Sequence, residues 1–158
     1  MMIIGRGAGI ILISAKGKVL LQQRDENASW NKNLWSEFGG QIEQGETPEE
    51  AIKRELKEEL GIKIKELKLF KRYNLERKEG IYEQFIFTAK LNYPLKQLRQ
   101  NQQEGKGLNL FSFKEIFNLR MADYTKKILE DFLCQNSKSL KLRIKNERKG
   151  QLKSSQNF

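Results

Sequence analysis

The chain opens on an apolar run. Gly7 to Ser14 contains Ile10-Ile11-Leu12-Ile13 with no charge inside it, which predicts a buried strand. Ala15-Lys16-Gly17-Lys18 reads as a turn, and Val19 to Arg24 as the returning strand. Asp25 to Asn33 is polar and reads as a surface loop. Trp35 to Phe38 then leads into Gly39-Gly40 and a second polar loop, Gln41 to Glu46. Thr47-Pro48-Glu49-Glu50 is a strong helix start: Thr47 can cap, Pro48 suits the first helical position, and Glu50 completes a capping box. The apolar spacing carries that helix to Leu60, and Gly61 suits its end. Ile62 to Tyr73 and Ile81 to Leu91 read as strands joined by the turn Arg77-Lys78-Glu79-Gly80, and Leu108 to Phe113 as another short strand. Lys114 to Leu119 reads as a short helix. Ala122 to Leu133 carries Ile128, Leu129, Phe132 and Leu133 at helical spacing and reads as an amphipathic helix. Strands, a helix, more strands and a second helix fit helices packed on a mixed sheet, an α/β or α+β sandwich.

Composition narrows the chemistry. The 158 residues contain no His and one Cys, Cys134. Imidazole-dependent nucleophile pairs, disulfides and Cys or His zinc sites are therefore excluded. Any metal must be held by oxygen, which points to Mg²⁺, Mn²⁺ or Ca²⁺. The net charge is +10. Seven basic residues and one acid between Cys134 and Phe158 supply +6 of it, so residues 136–158 read as a basic, weakly ordered tail behind a domain spanning 1–135. The apolar runs are too short to span a bilayer and no leader segment is read. With no disulfide framework, the expected setting is a reducing cytoplasm.

On the helix wheel Ile52, Leu56 and Leu60 form the buried stripe, and Glu55, Glu58 and Glu59 lie beside it within an arc of about 100°. Carboxylates at i, i+3 and i+4 repel one another unless a hard cation takes them as ligands. On the helix alone, a solvated acidic face balanced by Lys53, Arg54 and Lys57 is the favoured reading. The wider spacing decides between them. Gly40, Glu46, Arg54-Glu55-Leu56, Glu58-Glu59 and Gly61-Ile62 fit the pattern G-x5-E-x7-R-E-U-x-E-E-x-G-U at every specified position, where U is a bulky aliphatic. The chance of such a match in a chain of this composition is under roughly one in a million.

That pattern is the Nudix box, and the chain resembles the Nudix hydrolases over about residues 3–133, in particular their MutT-like branch acting on small nucleotides. The resemblance implies an α/β/α sandwich around a mixed sheet, with the box as loop–helix–loop. It implies Mg²⁺-dependent hydrolysis, with Mn²⁺ able to substitute, of a nucleoside diphosphate linked to another moiety. A (deoxy)nucleoside triphosphate and a nucleoside diphosphate sugar are the two substrate groups in competition. Glu55, Glu58 and Glu59 become expected metal ligands, one of them also the base. Arg54 becomes the residue that orients the carboxylates, Glu46 the brace of the loop and helix start, and the Gly39 carbonyl a further ligand, a tight turn being the competing reading for Gly39 and the favoured one for Gly40. Glu104, in Gln103-Glu104-Gly105, resembles a distal acidic element that brings another carboxylate to the metal. Arg24 is a candidate phosphate contact, Phe38 a departure from the commoner Pro in the loop shape beside the substrate, and Asp123 a base reader or a first-turn acid. Trp30, Trp35, Tyr82 and Phe85 are candidates for base stacking, with core packing as the competing reading. A monomer or homodimer is expected, without membrane association and with weak polyanion contact through the tail. The alternative function is a non-catalytic nucleotide- or RNA-binding module; its mark would be lost box carboxylates, and none is lost.

Overall fold

The computed structural model describes residues 1–137, which fall into two units divided after Ala122. The expected basic tail, Lys138 to Phe158, lies outside the described residues. The first unit is built on a seven-stranded mixed sheet: β1 (Ile3–Ile13), β2 (Val19–Gln23), β3 (Trp35–Ser36), β4 (Phe38–Gln41), β5 (Lys68–Arg77), β6 (Gly80–Lys90) and β7 (Gly107–Phe111). The main path runs β3-β2-β1-β6-β5, with β4 paired to β1 and β7 to β2. β1 is parallel to β6 and every other strand pairing is antiparallel.

The early apolar run becomes the central strand because it has partners on both edges. β4 pairs with Gly7 to Ile10, and β6 runs alongside from Ile3 to Ile13. Alternation then divides its side chains between two faces. Ala8, Ile10 and Leu12 enter the main core, where they meet Ala51, Ile52, Leu56 and Leu60 of α1 (Pro48–Leu60). Burying each Ile or Leu side chain among them contributes about 1.5–3 kcal/mol. That attachment fixes which face of α1 is turned outward.

The ends of α1 are set as its sequence predicts. Thr47 accepts from the Glu50 amide, Glu50 reaches back to the Thr47 amide, Pro48 is the first helical residue, and the Gly61 amide closes the last turn onto Leu56 and Lys57. Three boundaries differ from expectation. The strand anticipated from Ile62 begins at Lys68: Ile62, Ile64 and Leu67 pack on the core from irregular chain and are not paired in a strand. α2 (Leu95–Asn101) follows Pro94 where no element was anticipated, and buries Leu98. α3 is a single turn, Phe113–Ile116. Within the second unit, α4 (residues 123–137) realises the anticipated amphipathic helix and extends it; its buried positions Thr125, Ile128, Leu129 and Phe132 lie on one stripe. Among the described residues no helix is long and apolar enough to cross a membrane.

Candidate active site

The outward side of α1 carries Arg54, Glu55, Glu58 and Glu59, and the loop after β4 curls over its N-terminal half. Arg54 is the organising group. Its Nε donates to Glu46 Oε1 at 2.6 Å and its Nη2 to Glu46 Oε2 at 3.0 Å, a two-pronged carboxylate clamp. The same guanidinium donates to the Gln41 carbonyl at 2.9 Å, Glu55 at 2.8 Å and Glu58 at 3.3 Å. Glu46 also accepts from the Glu43 amide at 3.0 Å. The hydrogen bond to Arg54, and then that amide, hold Glu46 below the usual carboxylate range, while Glu46 and Glu55 hold the Arg54 charge firmly in place. Glu46 thus braces loop and helix through Arg54. Glu58 at i+4 is within reach of Arg54 at 3.3 Å, and Glu46, brought close by the loop's return, is the tighter partner at 2.6 Å.

The glycines before the loop act by making room. Gly39 has φ +155°, and a Cβ there would strike the carbonyl of Ala8 on β1. Gly40 corrects the tight-turn expectation: it lies in extended strand β4, and a side chain on it would occupy the place of the Glu55 carboxylate. Phe38 is also corrected. Its ring is 1% exposed and belongs to the core, because strand alternation sends it to the same side as Ile10 and Leu56, so it does not meet a substrate.

Glu59 is the electrostatic centre of the cluster. It is 8% exposed, and its Oε2 has no hydrogen-bond partner. Burial pushes its carboxyl up to about 8; Glu55 and Glu104 push the same way, Arg24 opposes them, and Glu58 adds a small upward push. Burial likewise raises Glu55, offset by Arg54. The structure therefore brings Glu104 and Arg24 into the field of the helix carboxylates. Glu104 arrives on a pinned loop: the Gln103 amide donates to the Glu59 carbonyl at 3.1 Å, Asn101 Nδ2 to the Leu60 carbonyl at 3.1 Å, and the Lys106 amide to the Gln23 carbonyl at 2.8 Å. Gly105 turns that loop at φ +86°, where a Cβ would press on the Gln23 carbonyl. The Lys106–Glu26 ion pair, 2.8 Å, was not legible beforehand; the only signal for the loop was its Glu-Gly pair. Arg24 follows β2 and donates to the Trp30 carbonyl at 2.9 Å. Asp123 stands exposed in the first turn of α4. Of the aromatics, Trp35 packs edge-on against Phe111 at 4.8 Å and Phe85 packs against the core.

A hard divalent cation fits the chemistry of this donor set. A buried carboxylate with an orphaned oxygen, crowded by two further carboxylates, is a group short of positive charge. Among the described residues no three acidic, His or Cys side chains are already drawn into a cage. Glu55 and Glu58 are instead engaged by Arg54. Arg54 already supplies these two carboxylates with part of the charge a cation would bring.

Fold and box together define the class: the chain belongs to the NUDIX domain family, whose model matches residues 4–132. Among particular proteins, it is 41% identical over 88 residues to an 8-oxo-dGTP diphosphatase of Haemophilus influenzae, a stretch covering 55% of this chain and 62% of that protein. It is 38% identical over 76 residues to an RNA pyrophosphohydrolase of Actinobacillus succinogenes, covering 44% of this chain and 36% of that one. The alignments thus span less than two thirds of these curated relatives. The solved structure of a MutT protein from Methanosarcina mazei shares the fold, with TM-score 0.71 at 22% identity over 84% of this chain and 94% of that one.

Proposed function

We propose that this protein is a divalent-metal-dependent pyrophosphohydrolase of nucleoside triphosphates. The observation that carries the reading is the buried, unpartnered Glu59 oxygen, on whose charge Glu55, Glu104 and Glu58 all act. Glu55, Glu58, Glu59, Glu104 and the Gly39 carbonyl are the groups that would hold Mg²⁺ or Mn²⁺. When bound, such an ion neutralises the polyphosphate and lowers the pKa of water. The remaining work belongs to the chain. Arg54 fixes the directions of Glu55 and Glu58, and Glu46 fixes Arg54. A carboxylate of the cluster takes the proton of the attacking water as its oxygen bonds to phosphorus, and the anhydride P–O bond breaks. Arg24, which follows β2 and acts on the charge of Glu59, is the proposed phosphate contact.

The triphosphate reading is supported by the similarity to an 8-oxo-dGTP diphosphatase and by the reach of Glu104 to the helix carboxylates. The test is a panel of nucleoside triphosphates and nucleoside diphosphate sugars incubated with Mg²⁺, with products identified. Nucleoside monophosphate and pyrophosphate from a triphosphate are expected. Exclusive release of sugar phosphate would replace the substrate class, and no turnover across the panel with Mg²⁺ or Mn²⁺ would refute the activity.

A further inference from the structure

Arg54 has more acceptors around it than hydrogens to give. A guanidinium carries one N–H on Nε and two on each Nη. Nε is taken by Glu46 Oε1, Nη2 by Glu46 Oε2 and the Gln41 carbonyl, and Nη1 by Glu55 Oε1 and Glu58 Oε2. Glu43 stands outside this set. Its Oε1 lies 3.8 Å from Nη1, within ion-pair range but beyond a hydrogen bond, and its side chain is 67% exposed. Its backbone is nevertheless held. The Glu43 amide donates to Glu46 Oε2 at 3.0 Å, and the Glu46 amide donates to the Glu43 carbonyl at 3.1 Å. A surplus carboxylate is thus kept beside a donor with no hydrogen to spare.

The bonds from Nη1 differ in what they allow. Glu55 lies at 2.8 Å through Oε1 and can offer Oε2 elsewhere without letting go. The bond to Glu58 is the longest of the set at 3.3 Å, and that side chain is 60% exposed, with room to turn. We propose that Glu43 is a positioning residue that accepts the Nη1 hydrogen released when Glu58 turns from Arg54 to a divalent ion. The proposal rests on the reading of Glu58 as a metal ligand. Without Glu43, the freed N–H would be left beside a newly arrived cation, with like charges facing each other. With Glu43, the guanidinium stays fully paired in both states and its clamp on Glu46 is undisturbed. Because the bond to Glu43 forms only in the metal-bound state, Glu43 adds to metal affinity and not to the stability of the metal-free fold.

The test is Mn²⁺ binding by the full chain, read from the electron paramagnetic resonance of free Mn²⁺, beside urea denaturation without metal. Glu43→Gln removes the charge. Glu43→Asp keeps it but draws the carboxylate back by one methylene, on a backbone pinned to Glu46. Both variants are expected to weaken Mn²⁺ binding about threefold to tenfold and to leave the metal-free midpoint where the parent has it. Parent-like binding by Glu43→Asp beside weakened binding by Glu43→Gln would show a plain charge effect. Parent-like binding by both would show an idle surface acid, and a lowered metal-free midpoint in both would give Glu43 a structural role. Each of these results overturns the proposal. Failure of the parent itself to bind Mn²⁺ would overturn the metal reading together with it.

Discussion

At the scale of single residues, the site depends on what Gly40 lacks as much as on what its neighbours carry. A methyl group at Gly40 competes for the space of the Glu55 carboxylate. Gly40→Ala is therefore expected to lower turnover about tenfold or more with the fold retained, by displacing a carboxylate proposed to bind the metal; circular dichroism and steady-state rates check both halves. Phe38→Ala should behave oppositely, costing about 3–5 kcal/mol of stability in chemical denaturation because it empties a filled core position. The sequence made Glu55, Glu58 and Glu59 legible, since their spacing is a property of one helix. It did not reveal that Glu46 would be the closest partner of Arg54, because that pairing depends on how the loop returns. Phe38 was misplaced for a related reason: an aromatic beside two glycines looks alike whether it faces ligand or core until strand alternation is fixed.

At the scale of elements, capping decides where the carboxylates stand. Thr47→Ala removes one side of the α1 capping box and is expected to cost about 0.5–2 kcal/mol in denaturant unfolding. α3 offers a pH-dependent counterpart. Glu115 accepts from the Ser112 amide and Ser112 Oγ from the Glu115 amide, and these contacts hold the Glu115 carboxyl below its usual range. A lowered folded-state pKa contributes stability that is present above the unfolded value and is lost as pH falls through the folded one. The Tm gap between the parent and Glu115→Gln should therefore be visible near about pH 6 and shrink toward about pH 3; a gap that is constant or grows on acidification would contradict it. The elements legible in the sequence were those with strong local signals, β1, β2 and α1. α2 escaped because about two turns around a single buried leucine leave almost no periodicity, and the start of β5 was misjudged because Ile62, Ile64 and Leu67 imitate a strand while packing from loop.

At the scale of the whole molecule, the residues proposed to bind metal all lie between Gly39 and Glu104, far upstream of the basic segment. Removing Lys138 to Phe158 is expected to leave turnover of a mononucleotide within about threefold, under roughly 0.7 kcal/mol in barrier. A folded truncation that loses this turnover would place part of the site in the removed segment. The α1 carboxylates are proposed to form the metal-dependent catalytic centre. The most direct measurement is the turnover of Glu59→Gln beside the parent, at saturating Mg²⁺, on whichever nucleotide the parent hydrolyses. Replacing that carboxylate by a neutral amide keeps its shape and removes its charge, so a fall of roughly several hundredfold with an unchanged fold is predicted. Turnover near that of the parent would contradict the account.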